Sequence, residues 1–402
     1  MSASIAAKDR EELDILTAGH LCVDVIPSFE AAAQAAELLP GRLLEVGPAT
    51  FTTGGAVSNV GLSLQRLGMR VRLMGSVGDD AYAQTIRSVL QQHDPALLEA
   101  IRSRPEYSTS YTIVINLPGR DRSFLHHPGC NDHYGLEDID SSMLQRARLL
   151  HFGYPSLMKR LYSNGGADLE AMLAHIKASG ITLSLDMSMP DTASAAGRVD
   201  WPALLQRCLP YVDVFLPSLP EIYFMLYADI YPHDEQHRPE TALLEDIAER
   251  LLVYGVGIVG LKLGAQGFYL QSGKAERLAR MGKLVAAAPQ AWLAQWTTRQ
   301  LWAPSFTADV QGTTGAGDAA IAGLLASMLH YHNPEESLRM ACALGACSVE
   351  APDAVSGVSS WQATQARLHS GWATRPLALP AAWTLLPSGV YRGAHDNTAS
   401  TA

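Results

Sequence analysis

The chain has 402 residues, 48% hydrophobic and 17% charged, so a large packed core is expected and wholesale disorder is not. A formal net charge of −10 weighs against nucleic acid as a partner, because such binding draws on Lys and Arg set against phosphates. The five cysteines are scattered without a Cys-x-x-Cys pair, no signal-peptide pattern opens the chain, and no apolar run has the length of a membrane span. A reducing cytoplasm is therefore the expected setting, with no membrane partner.

In chain order, residues 13–25 (LDILTAGHLCVDV) read as one buried strand and a loop that carries Asp24. Residues 28–55 show no helical period. A helix is predicted from Ala56 to Leu67, where Val57, Val60, Leu64 and Leu67 share a face and Gly68 supplies the stop. A strand at 71–77 (VRLMGSV) and a helix over DDAYAQTIRSVLQQ follow. Two β-rich runs within residues 107–128 flank PGRD and predict a hairpin. From there, strands (LLHFGYP, ITLSLDM, YVDVFLP, VGIVGLKLG) alternate with helices (LEAMLAHIKASG, WPALLQRCL, EIYFMLY, TALLEDIAERLLVYG). Such alternation predicts an α/β fold, a mostly parallel sheet covered by helices on both faces, with ligands beyond the carboxyl ends of its strands. Trp292, Trp296 and Trp302 crowd one segment and read as packing. After Trp372 the pattern dissolves, so residues 372–402 read as a loosely packed C-terminal tail.

Glycine-rich stretches carry the chemistry. GTTGAGD (312–318) runs into AAIAGLLASMLHY, whose Ile321, Leu324, Leu325, Met328 and Leu329 follow a helical period. Gly315, Ala316 and Gly317 therefore stand at a helix N-terminus, where unpartnered N–H groups and the positive end of the dipole attract an anion. Asp318, in the first turn, is placed to take a proton from an attacking hydroxyl. A lone GAGD is more often turn or cap chemistry. TTGGAVSN (52–59) and GSVGDD (75–80) change that balance, because Asn59 offers donors and an acceptor to hydroxyls beside glycines that allow close approach.

GGAVSNVGLSLQRLG with GSVGDD near the N-terminus, and GTTGAGDAAIAGLLASM near the C-terminus, resemble the two signatures of the ribokinase-like (PfkB-type) carbohydrate kinases, over roughly residues 13–358. The resemblance implies a ribokinase-like three-layer α/β/α fold, with a mostly parallel central sheet and a small β lid. The kinase domain would span 13–371, with lid segments near 27–53 and 105–130, and residues 372–402 would be the tail. It implies transfer of the γ-phosphoryl group of ATP, with Mg²⁺, to a hydroxyl of a small sugar or sugar-like molecule. Asp318 would be the general base, and Gly315, Ala316 and Gly317 the anion hole. Asp24, Gly54, Gly55 and Asn59 would bind the acceptor. Lys262, Gly264, Gly267 and Thr313 would line the nucleotide side. Glu221 would organise Mg²⁺ through water, although Ser218 stands where many members have Asn.

Gly312 replaces the family's usual Asp at a monovalent-cation site, so weak or absent K⁺ activation is expected; Asp309 is the nearest substitute. Arg122, His126 and His127 lie on the second strand of the hairpin, where solvated side chains are the rule, while His20 and His151 read as structural. Lids from two subunits pair in some members, which permits a homodimer. Two rival readings remain. One is a nucleoside kinase, with Phe29, Phe51 and Tyr111 lining a base slot; the other is a catalytically silent binding protein, suggested by Gly312 and Ser218.

Overall fold

The run expected to form one strand over residues 13–25 divides at Gly19. That glycine takes φ 116, and a Cβ on it would stand 2.4 Å from the Gly153 carbonyl oxygen, so the chain turns there at no side-chain cost. Strand β1 (Leu13–Gly19) stays in one sheet and β2 (Cys22–Pro27) leaves for another. The computed structural model describes residues 12–29, 41, 43–117, 123–231 and 240–397. The further strands are β3 (Ala49–Gly54), β4 (Val71–Val77), β5 (Ala100–Ser103), β6 (Tyr111–Ile115) and β7 (Ser123–His127). Then come β8 (Ala147–Gly153), β9 (Thr182–Leu185), β10 (Val214–Phe215), β11 (Ile258–Lys262), β12 (Phe268–Ser272), β13 (Gln300–Ala303), β14 (Thr384–Leu385) and β15 (Tyr391–Arg392).

The main sheet has 11 strands in the order β14-β15-β13-β12-β11-β10-β9-β8-β1-β4-β5. Every pairing from β5 across to β11 is parallel, and β12, β13, β15 and β14 follow in antiparallel pairings. Two apolar cores cover it. Ile15, Leu73, Leu149, Val214 and Ile258 face one core, with the helices Ala56–Arg66 and Ala316–Leu329. Leu16, Met74, Leu150, Phe215 and Val259 face the other, with Ala167–Ala178 and Thr241–Val253. Alternate strand residues thus feed opposite layers, which gives the three-layer α/β/α arrangement.

The tail read as loosely packed is in fact tied down. β14 and β15 extend the sheet beyond β13, Val390 is buried, and Asp396 accepts from Arg299 Nε at 2.8 Å and from the Gln300 N–H at 2.9 Å. Its segments are too short to show a period, so the pattern was invisible in sequence. The three tryptophans pack as expected. Trp292 and Trp296 both donate to the His332 carbonyl, at 3.0 and 3.2 Å, and Trp302 lies on β13.

A second sheet, ordered β3-β2-β6-β7, has four strands. β6 and β7 are the expected hairpin arms; the PGRD turn and Arg122 lie outside the described residues. Register sets its two faces. Thr52, Asp24, Thr112 and His126 are direct partners across the four strands and share one face. Phe51, Val25, Ile113 and Leu125 form the neighbouring row on the opposite face. All five cysteines are buried and unpaired, and among the described residues no helix is long and apolar enough to cross a membrane.

Candidate active site

Four adjacent parallel strands deliver side chains to one place. Tyr154 follows β8, Asp186 follows β9, Ser218 and Glu221 come just after β10, and Lys262 ends β11. This is the carboxyl edge of the sheet, where the backbone leaves its ladder and side chains are free to converge. The helix Ala316–Leu329 enters from the other side, apolar and buried along its length except at its first turn. Gly315 caps it at φ 72, with Ala354 Cβ only 2.4 Å from where its own Cβ would be; both constraints require glycine.

Asp318 sits in that first turn, 2% exposed. Its Oδ2 accepts from Asn59 Nδ2 at 2.9 Å and its Oδ1 from Tyr154 Oη at 2.7 Å. Burial raises its pKa; the charge of Lys262 and the two hydrogen bonds offset part of the rise. Tyr154 holds φ 63, a left-handed conformation rare for an aromatic residue and of the kind that persists where a site needs it. Sequence reasoning passed over Tyr154. The only signal was its place directly after a strand.

Lys262 Nζ lies 2.8 Å from Asp186 Oδ1. Burial pulls the lysine's pKa down, but Asp186, Glu221 and Asp318 more than restore it, so it stays charged. Asp186 is fully buried, and its Oδ2 has no hydrogen-bond partner among the described residues. Burial drives the Asp186 pKa well up, against the pull of Lys262. It too was missed, although it lies in the run ITLSLDM, which was read as a strand. Glu221 forms a capping box with Ser218: its Oε2 accepts from the Ser218 N–H at 2.6 Å, and Ser218 Oγ accepts from the Glu221 N–H at 3.5 Å. Ser218 therefore supplies the helix cap that an Asn would.

A cleft of about 720 Å³ takes in Tyr154, Ser218, Glu221, Lys262 and Asp318, and Gly264, Gly267, Thr313, Gly315, Ala316 and Gly317 of the predicted set line it. The acceptor-side set gathers nearby. Asp24 is buried, and burial pushes its pKa up to about 6, although hydrogen bonds from Cys22 and Thr112 pull the other way. Its carboxylate lies against Gly54, where an added Cβ would stand 2.3 Å from Oδ2. Gly55 precedes the helix that carries Asn59. Beside Asp24, His126 places Nδ1 3.0 Å from Thr112 Oγ1 and Nε2 3.3 Å from His20 Nε2. Desolvation and the neighbouring His127 push the His126 pKa down to about 4.

Some expected residues stand elsewhere. His20 meets His126 and so stands close to Asp24, whereas His151 is buried in β8, with Nδ1 3.1 Å from Ser184 Oγ. His127 faces away from Asp24 and meets Ser108 Oγ at 2.8 Å. By register, Phe51 and Tyr111 also lie on the face opposite Asp24, so they do not line a base slot there. Asp309 is exposed and accepts from Gln311 Nε2 at 3.2 Å.

The layered sheet and its strand-end cleft define an α/β/α protein with a cleft at the carboxyl ends of its strands. Residues 14–361 match the model of the pfkB family carbohydrate kinases, and the chain belongs to that family. An uncharacterized sugar kinase of Archaeoglobus fulgidus is 25% identical over 72% of this chain and 95% of its own length. Probable fructokinase-7 of Arabidopsis thaliana is 25% identical over 91% of this chain and 95% of its own. A solved fructokinase with bound ATP from Xylella fastidiosa superimposes with TM-score 0.65 at 17% identity, covering 89% of this chain and 98% of that one. The fold is thus ribokinase-like, and the enzyme is a carbohydrate kinase.

Proposed function

We propose that the chain transfers the γ-phosphoryl group of ATP to a hydroxyl of a small neutral sugar, with Asp318 as general base. The observation that carries this is the position of Asp318. It is buried between the Asp24–Asn59 pocket and the cleft lined by Gly264, Gly267 and Thr313. Asp24 and Asn59 orient the acceptor by taking and giving hydrogen bonds to its hydroxyls, with Gly54 and Gly55 allowing close approach. The attacking hydroxyl gives its proton to Asp318 as its oxygen bonds to the γ-phosphorus and ADP departs with the broken bond's electrons. The first-turn N–H groups of Ala316, Gly317 and Asp318, beside Gly315, face the charge on the transferring group.

Magnesium, bound with the nucleotide, supplies charge neutralisation at the phosphates. Glu221 and the unpartnered Asp186 Oδ2 suit the water shell such an ion keeps. Lys262, paired with Asp186, lies on the same side. At position 312 a Cβ would meet the carbonyl oxygens of Ala351 and Pro352 at 3.1 Å each, and Asp309 is engaged elsewhere, so turnover independent of K⁺ is expected.

A neutral sugar fits because the described partners of Asp24 (Cys22, Thr52, Thr112 and, beyond them, His126) include no Lys or Arg to meet a carboxylate or phosphate. The names of the relatives, sugar kinase and fructokinase, agree with this. The second sheet acts as the lid that excludes water over the acceptor. Five buried thiols suit a reducing cytoplasm.

The test is ADP release from MgATP across a panel of sugars and nucleosides, with Asp318→Asn beside the wild type. Acceptor-dependent turnover that the variant loses by at least about a hundredfold is expected. Equal ATP binding by both proteins, with no turnover on any acceptor, would instead indicate a silent binding protein.

A further inference from the structure

The cleft beside Asp318 is short of free positive charge. Asp318 and Glu221 line it, and Asp186 stands against Lys262. Among the described residues, Lys262 and Arg375 are the only Lys or Arg on its walls, and Lys262 is already paired. No ion pair or side-chain hydrogen bond engages Arg375 among the described residues. A nucleoside triphosphate entering here brings more negative charge than the paired lysine can balance.

Arg375 is held in place by its backbone. Residues 372–375 run beside 305–307: the Arg375 N–H donates to the Ser305 carbonyl at 2.8 Å, the Thr307 N–H donates to Ala373 at 2.9 Å, and Thr374 bridges Phe306. Trp372 stacks on Phe306 with ring centroids 4.7 Å apart and donates through Nε1 to the Thr307 carbonyl at 2.8 Å. The Arg367 guanidinium covers the Trp372 ring at 3.5 Å. Ser305 Oγ in turn donates to the Ala265 carbonyl at 2.5 Å, inside the turn Gly264–Gln266. Arg375 is thereby posted across from that turn, on a segment that begins after the family match ends at residue 361.

We propose that Arg375 is a nucleotide-binding residue, its guanidinium closing on the polyphosphate as it passes the Gly264–Gly267 turn. A planar fork of donors suits two phosphate oxygens at once, and the fixed backbone lowers the entropy lost on binding. The inference rests on the ATP-dependent reading above and adds a contact supplied from outside the matched domain.

Calorimetric titration of wild type, Arg375→Ala and Arg375→Lys with ATP, ADP and adenosine tests it, beside kinetics with MgATP varied. Arg375→Ala is expected to weaken ATP and ADP about tenfold. It should leave adenosine within about twofold, and raise KM for MgATP while kcat and KM for the sugar hold, with Arg375→Lys in between. Equal ATP affinity in wild type and Arg375→Ala overturns the clamp and leaves the kinase reading standing. Equal losses for ATP and adenosine reveal only a loosened segment and also overturn it. Wild-type protein that neither binds nor consumes ATP overturns both.

Discussion

Both carboxylate oxygens of Asp318 are engaged, one by Asn59 and one by Tyr154. Hydrogen bonds to a carboxylate favour its charged form, whereas burial favours the neutral acid. For Asp318 burial is the larger effect, so its pKa lies above the ordinary value, and the proposed base role predicts that turnover fades as pH falls through that raised pKa. Tyr154→Phe deletes one of the offsetting hydrogen bonds and raises the pKa further. The acid limb of the kcat–pH profile should move up by about one pH unit, since a hydrogen bond to a charged group is worth about 1.5 kcal/mol or more. An unmoved limb would mean that Tyr154 does not bond to the reacting carboxylate. Asp318 was legible in sequence because GAGD announces its place on a helix. Tyr154 was not, because its contact with Asp318 spans 164 positions.

At the scale of elements, register did what local pattern did not. The run that carries Asp24 was readable as apolar and buried, but its partners Thr52 and Thr112 emerge only once β2 pairs with β3 and β6. The same pairing turns Phe51 and Tyr111 to the far face and removes them from the acceptor side. The C-terminal strands give the opposite lesson, since residues of little pattern proved structural. Asp396 is the partner of Arg299, which is 5% exposed on its side chain. Removing that carboxylate leaves the guanidinium with Glu335, at 3.3 Å, and the Gln295 carbonyl, at 3.0 Å, and strips a bond from the Gln300 N–H. Asp396→Ala should lower unfolding stability by about 3 kcal/mol, read from urea denaturation. A loss below about 1 kcal/mol would show that the segment is only appended to the sheet.

For the whole molecule, the parallel strands of the main sheet are covered by apolar cores on both faces, whereas among the described residues β3 and β7 are the outer strands of the second sheet. Phe51, Phe124 and Leu125 on those strands are 50%, 54% and 56% exposed. Outer strands with apolar side chains call for a cover, and a second copy of the same sheet would supply one. Light scattering should therefore report twice the 43.3 kDa chain mass at micromolar concentration, and Leu125→Asp should shift it toward the single chain. A wild type that stays at one chain mass throughout would remove the dimer.

By itself the sequence determined the alternation of strands and helices, the glycine-rich loops, and the place of Asp318 in a first helical turn. Each of these is written in neighbouring residues, as a period or a backbone requirement. Only the tertiary structure decided that Tyr154 and Asn59 share Asp318, that Asp186 holds Lys262, and that the C-terminal segment reaches the cleft. The side-chain contacts among them join residues from 76 to 259 positions apart. No local pattern encodes such distances; they exist because the parallel sheet gathers its strand ends on one edge.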